Sequence, residues 1–382
     1  MKLISIKYTE YRGFSNEWKV ERFDLQDVNL IVGKNSDGKS RTLNLISGLA
    51  NLITNPSLKV SNGEYEAKFE NNDQKIQYSL RIHSNKVIFE NLIIDDQSYL
   101  ERNAVKASIY NVLVDRRLES DLPKDLPMVT RRDKIQYPYL EDLYDWGISL
   151  KHFLFGTDLG RNEYLIKIDN ELFDRDPNLK ETDKVTEIFI RGNKRFPKIF
   201  KECIVKDLLS IGYNITDINY GAQKDFHFNI NSQPVNGLLV QEGDRKSETP
   251  QFTMSTGMFR ALAIIIYFNF YSLAKILGSV LIDDIGEGLD YDRSTKLINL
   301  IIQKAKENNI QLLMSTNDRF VMNQVPIEYW QVINRSGGCV TMYNQFNHPD
   351  IFKDFEFTGL NNFDFFSTGF FKEGFDENSK EG

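Results

Sequence analysis

The segment Gly33-Lys34-Asn35-Ser36-Asp37-Gly38-Lys39-Ser40 carries the spacing G-x-x-x-x-G-K-[ST]. Two glycines, a lysine and a hydroxyl at that spacing suit one kind of chemistry, the grip on a chain of phosphates. Successive backbone N–H groups can wrap a triphosphate, and a helix N-terminus adds the positive end of its dipole. Lys39 then reaches the β- and γ-phosphates, and the Ser40 hydroxyl ligates Mg²⁺. The pattern carries this meaning only between a strand and a helix. Both neighbours are present. VNLIVG (28–33) is a short, β-branched apolar run that predicts a buried strand. After it, Leu43, Ile46, Leu49 and Leu52 recur at helical spacing and predict a helix packed on one side.

Two further segments could act on a bound polyphosphate. Val280-Leu281-Ile282-Asp283-Asp284 is an apolar run ending in two acids, which fits a strand that delivers a carboxylate to a metal. Buried strands often end in Asp, so this run is uninformative alone. Met254-Ser255-Thr256-Gly257-Met258 opens a long apolar stretch. Ser-x-Gly before a helix is also an ordinary N-cap, and that reading stays open.

The elements that must position these residues follow from patterning. Short β patterns at 3–11 and 18–25 precede the phosphate-binding pattern, and alternating segments from 63 to 102, then 107–115, predict a β-meander. From 116 to 212 charge runs, Pro123, Pro127 and Pro138, and helical stretches near 139–154 and 183–211 predict a mostly helical insertion. Strands are expected at 214–220, 225–231 and 237–242. Beyond 250 a helix from 257 to 277, the acid-ended strand, a helix at 291–307 and strands at 310–316, 328–334 and 338–344 alternate, which implies a parallel sheet. The expected divisions are 1–115, 116–212, 213–350 and a Phe-rich 351–382. That last segment is expected to close a core over 351–371 and to be disordered over 376–382.

Composition limits the function. The chain has 382 residues, 47 basic and 54 acidic, a net charge of −7, two cysteines and four scattered histidines. Such a balance does not make a bulk polyanion binder. Two distant cysteines suggest neither a disulfide framework nor a zinc site. No uninterrupted apolar window reaches membrane-spanning length. The opening MKLISIKYTEYRGF lacks the apolar core of a signal peptide, so a cytoplasmic chain is expected. Arg191, Lys194, Arg195, Lys198 and Lys201, interleaved with Phe196 and Phe200, form a basic cluster that either touches nucleic-acid phosphate or is a solvated helix face.

The three motifs stand in the order found in ABC-type ATPases, and the chain resembles the members that include RecF, the SMC proteins and the OLD-family ATPases. The resemblance covers roughly 1–115 and 214–345. The segment 254–258 resembles the Leu-Ser-Gly-Gly-Gln signature. IDDIGEGLD (282–290) resembles the RecF form of the acid pair and the following loop, and YRGF (11–14) resembles the FRGF opening, which implies Arg12 near the nucleotide. The resemblance implies an α/β, P-loop ABC-type head with a mixed sheet, an antiparallel β portion and a helical insertion. It implies that Gly33, Asn35, Ser36, Asp37, Gly38, Lys39, Ser40 and Arg41 line the ATP, with Mg²⁺ on Ser40 and Asp283. Two chains would sandwich two ATP molecules, with Ser255 and Gly257 of one meeting the γ-phosphate on Lys39 of the other and Asp290 at the same seam. Asp284 stands where most members have a catalytic Glu, Asn317 where a γ-phosphate-sensing His is usual, and Arg41 where a small hydroxyl residue is usual. The stretch between Lys39 and Ser255 is too short for long coiled-coil arms.

The sequence carries no acid cluster, histidine set or Ser-His-Asp set for a second chemistry. The expected function is therefore Mg-ATP binding and dimer-dependent hydrolysis that switches assembly with a separate nuclease or toxin in anti-phage defence. The alternatives are a RecF-like DNA repair clamp and a slowly hydrolysing, nucleotide-gated scaffold.

Overall fold

The computed structural model describes residues 1–58, 60–163, 180–223 and 235–374. The strand expected at 225–231 and the tail at 376–382 lie outside them. In chain order the strands and α-helices are β1 (Lys2–Glu10), β2 (Trp18–Asp24), β3 (Val28–Val32), α1 (Lys39–Thr54), β4 (Asn62–Asn71), β5 (Gln74–His83), β6 (Lys86–Ile94), β7 (Gln97–Asn103), β8 (Lys106–Asn111) and β9 (Arg116–Asp121). Then come α2 (Glu141–Ser149), β10 (Lys151–Leu154), α3 (Val185–Arg195), α4 (Ile199–Ser210), β11 (Ile215–Ala222), β12 (Asn236–Glu242), β13 (Thr249–Pro250) and α5 (Thr256–Ala274). The chain continues through β14 (Gly278–Asp283), α6 (Tyr291–Glu307), β15 (Ile310–Thr316), α7 (Arg319–Gln324), β16 (Trp330–Ser336), β17 (Cys339–Tyr343), α8 (Pro349–Glu356), α9 (Asn362–Ser367) and α10 (Phe370–Glu373). These elements form two compact units, one of 1–150, 313–317 and 325–382, the other of 151–312 and 318–324.

In the first unit the strands run in the order β3-β16-β17-β2-β1-β4-β5-β6-β7-β8-β9. β16 lies parallel to β3, with Val332 beside Val32, and β17 parallel to β2. The remaining pairs are antiparallel. All five residues of β3 are buried, as a strand covered on both faces requires. β4 alternates buried and open positions, as a sheet with one wet face does.

The meander extends one strand beyond the expected limit. Residues 116–121 are β9, not the start of a helical insertion. Asp115 takes a left-handed φ of 49° and turns the chain back before the pattern of β8 can continue. The connection after β9 is locked by a buried network. Arg102 and Glu90, both fully buried, form an ion pair; Arg102 Nη1 donates to Leu126 O at 2.7 Å, and Glu90 accepts from Met128 N. α2 then crosses α1 so closely that a Cβ at Gly147 would lie 2.9 Å from Ala50 O.

The Phe-rich segment forms three short helices. Phe352, Phe355, Phe365 and Phe371 are buried, with Phe365 edge-on to Trp330 at 6.2 Å. A capping box between Asn361 and Asp364 starts α9.

In the second unit β10 and β14 pair in parallel, with Leu154 opposite Asp283, and β11-β12-β13 form a separate antiparallel sheet. The helical reading of 139–154 ends early. Leu150 is already extended, and 151–154 is strand. The 183–211 stretch divides into α3 and α4 around Pro197, which has no N–H to give a continuous helix. By length and composition alone α5 is long and apolar enough to cross a membrane, although Arg260 and Asn269 interrupt its apolar run. It is buried at Gly257 and from Phe259 to Tyr271 and packs against α3, α4 and α6, as a core helix does. At its far end the buried Lys151 places Nζ 4.8 Å from the centre of the Tyr271 ring.

Candidate functional site

In the first unit the expected phosphate cradle is assembled around the N-terminus of α1. β3 delivers Gly33 against β16, where a Cβ would meet Ile333 Cγ2 at 2.2 Å, so only glycine fits. Ser36 and Gly38 both take left-handed φ values, 71° and 108°, which bend the loop back onto itself. The Asp37 carboxylate accepts from Lys34 N at 2.9 Å and closes the turn. Gly38 caps α1 with no side-chain hydrogen bond, and the first turn holds no acid. The donors of this helix end are thus not shared with a side-chain cap, which is the condition for receiving an anion. Lys39, 7% exposed, lays its ammonium across the loop and donates to Gly33 O at 3.0 Å and Lys34 O at 3.1 Å. Ser40 is the next residue of the helix, half-buried.

Two side chains brace the loop tip from other strands. Asn317, following β15, donates through Nδ2 to Asn35 Oδ1 at 2.9 Å. Arg335 on β16 donates to Ser36 O at 3.0 Å. Arg335 carries no sequence signal, since it is one exposed charge near the end of an ordinary strand. Arg41 is clamped between the Trp18 ring, 3.8 Å below its guanidinium, and the Glu10 carboxylate at 2.5 Å. Arg12, in the turn between β1 and β2, pairs with Glu64 at 2.8 Å.

The remaining expected residues gather in the second unit. Asp283 is the buried last residue of β14, and its carbonyl accepts from Phe155 N at 3.0 Å. Burial pushes the neighbouring His152 down, and the Asp283 charge opposes that shift. Asp284 departs from the expectation. The expected strand 280–284 ends one residue early, and Asp284 lies past the strand end with a left-handed φ of 56°. Its carbonyl accepts from Glu287 N at 3.2 Å, so alternation along a strand does not set where its carboxylate points.

The signature-like segment and the loop after the acids are packed together. A Cβ on Gly257 would come within 2.5 Å of Gly288 O. Ser255 caps α5 by accepting from Met258 N at 3.2 Å. Arg161 supports the same turn through Thr256 Oγ1, Phe252 O and Met254 O. Arg260, buried, donates to Thr157 O at 2.9 Å, Glu287 O at 2.8 Å and Gly156 O at 2.5 Å. Asp290 caps α6 and pairs with Arg293 at 2.9 Å; the backbone N–H of Arg293 holds its carboxyl below the usual range. Arg260 was missed in the sequence, although a signal existed: it is the one charged residue in α5.

Among the described residues no cluster of three or more His, Cys, Asp or Glu could hold a metal alone. In the basic cluster, Arg191 pairs with Glu187, Lys198 with Glu202 at 3.8 Å and Lys201 with Asp217, and the side chains of Lys194, Arg195 and Lys198 are exposed.

No protein-family profile and no curated protein matches the chain. Solved structures do. An SMC head bound to the C-winged helix domain of ScpA matches with a TM-score of 0.53 at 14% identity, over 90% of this chain and 97% of that one. An SMC head with an extended coiled coil, bound to the C-terminal domain of ScpA derived from Pyrococcus furiosus, gives 0.49 at 13%, over 93% and 100%. The SMC head domain from Thermotoga maritima gives 0.44 at 12%, over 90% and 98%. The chain therefore has the α/β fold of an SMC head, with a large, mostly antiparallel sheet, consistent with a P-loop ABC-type ATPase head.

Proposed function

We propose that the chain is a Mg-ATP-binding ABC-type ATPase whose nucleotide-dependent dimerisation switches assembly with a separate effector, a nuclease or toxin, in bacterial anti-phage defence. One observation carries the nucleotide part. The loop 33–40 opens α1 with no side-chain cap and no first-turn acid, and Lys39 is folded across its carbonyls. These residues fit a polyphosphate. Bound Mg²⁺ would supply charge neutralisation across the β- and γ-phosphates. Ser40 is the loop's own ligand for it, and by motif order Asp283 is the acid. Ser255 and Gly257, at the start of α5, are the residues that would receive the γ-phosphate of a second copy.

The separate effector rests on two supports. The sequence holds no second catalytic set, so nuclease or toxin chemistry is assigned to another polypeptide. A solved SMC head of this fold is bound to a domain of another protein, ScpA. Equilibrium binding of Mg-ATP and sedimentation with and without nucleotide test the ATP-driven dimer. Phage plating on cells carrying the gene with and without its genomic neighbours tests the defence role. Protection lost with the neighbours is expected, and protection by the gene alone contradicts a separate effector.

A second reading, the slowly turning-over nucleotide-gated scaffold, draws on Asp284. A carboxylate on a left-handed turn residue, one methylene shorter than Glu, is a poor fixed base. The DNA clamp draws only on Lys194, Arg195 and Lys198, and DNA-stimulated hydrolysis would favour it.

A further inference from the structure

We propose that Arg41 is the platform on which the base of the bound nucleotide stacks, and that its ligand is a purine. This rests on the nucleotide reading above and adds what the P-loop pattern does not contain, a site for the base.

Arg41 directly follows Ser40, so it stands one residue past the phosphate cradle on α1. Its guanidinium carbon sits 3.8 Å over the ring of Trp18. Its Nη2 is 2.5 Å from the Glu10 carboxylate, and 47% of the side chain stays exposed. Trp18 is only 3% exposed and cannot take a base itself. It also touches the cradle, since a Cβ on Gly38 would lie 3.6 Å from its Cζ2.

The clamp decides between two roles. An arginine that grips phosphate offers its charge and its fork of donors. Here Glu10 takes a donor edge and offsets the charge at short range. What remains is a weakly hydrated guanidinium lying over an indole with about half of its side chain exposed, a surface suited to stacking on a flat heterocycle. The usually costly ordering of an arginine side chain is already met by three fixed points: the helix backbone, the indole and the carboxylate. A purine covers that plane better than a pyrimidine.

Titration calorimetry with Mg²⁺ and ATP, CTP or inorganic tripolyphosphate tests this on the wild type, Arg41→Ala and Arg41→Lys. The wild type should prefer ATP to CTP. Both variants should lose ATP affinity by about tenfold, the order expected for loss of one base stack, and keep tripolyphosphate affinity. If Arg41→Lys binds ATP like the wild type, charge is what counts and the platform is wrong. Equal loss for ATP and tripolyphosphate would assign Arg41 to phosphate and overturn the proposal, as would an unaffected Arg41→Ala. A wild type that binds tripolyphosphate and ATP alike, with no preference over CTP, removes the platform alone. A wild type that binds neither removes the nucleotide reading with it.

Discussion

Asn317 donates its side-chain amide to the side-chain oxygen of Asn35 at 2.9 Å, so the residue just after β15 holds the tip of the P-loop. At the position where the resemblance implies a γ-phosphate-sensing histidine, this chain has a neutral hydrogen bond to the loop itself. The bond should position the cradle. Asn35→Ala and Asn317→Ala should each weaken Mg-ATP binding, and the double variant should lose little more than either. The coupling expected of one net hydrogen bond is about 0.5–1.5 kcal/mol. Both side chains are exposed, so melting should not move. Additive losses in a double-mutant cycle would mean that the contact does no positioning.

At the signature-like turn the useful substitution is Ser255→Arg. Gly257 is packed on Gly288 O, so any side chain there distorts its own subunit before reaching another. Ser255 is exposed, and its loss as a cap costs about 1 kcal/mol. The expected outcome is normal Mg-ATP affinity with loss of ATP-dependent dimers and of hydrolysis, read by sedimentation and phosphate release. Dimers of the variant at wild-type nucleotide concentrations would rule out the sandwich.

Hydrolysis should depend on Asp284. Removing a positioned base typically slows turnover by about 10²–10⁴. Asp284→Asn should fall in that range while still binding Mg-ATP, and Asp283→Asn should instead weaken the Mg²⁺ dependence of binding. Asp284→Gly is the informative control. Glycine suits the left-handed φ of 56°, so this variant should melt no lower than the wild type yet be as slow as the Asn variant. Single-turnover assays decide between Asp284 and the exposed Glu287 three residues on. Abolished turnover in Glu287→Gln with an active Asp284→Asn identifies the other carboxylate. Wild-type rates in both would favour the scaffold reading.

Lys151 gives a pH signature. Burial pushes its pKa from the ordinary 10.5 down to about 7. Between those values the unfolded chain binds the proton and the folded chain does not, so stability rises with pH across that window. Lys151→Met keeps the volume and removes the penalty. It should stabilise the protein at pH 7 by on the order of 4 kcal/mol, and the gain should shrink toward zero as pH approaches 10.5. Denaturant unfolding at several pH values measures it. A destabilised variant at pH 7, or a gain constant with pH, would show that Lys151 is held charged.

The cradle was legible because its chemistry is local. Gly33, Gly38, Lys39 and Ser40 sit within eight residues between two periodic elements, and short-range rules suffice. The supports of the cradle were not legible. Ile333, Arg335, Trp18 and Glu10 reach it only through strand pairing across long sequence separations, which no pattern in one sequence encodes. β9 is hidden by its charges: Arg116, Arg117, Glu119 and Asp121 leave no apolar alternation to signal a strand, whereas an edge strand tolerates them. The geometry of Asp284 escapes the sequence for a related reason. Two adjacent acids invite an alternating strand, and only the left-handed turn after Asp283 shows that the strand has already ended.

The central claim is that Lys39 serves bound phosphate. Equilibrium Mg-ATP binding to the wild type and Lys39→Ala, read beside thermal melting of both, tests it most directly. The account predicts micromolar-range binding by the wild type, on the order of −8 kcal/mol, and its loss in the variant, with melting curves that overlay within a few degrees. Unchanged ATP affinity in a folded Lys39→Ala protein would contradict it.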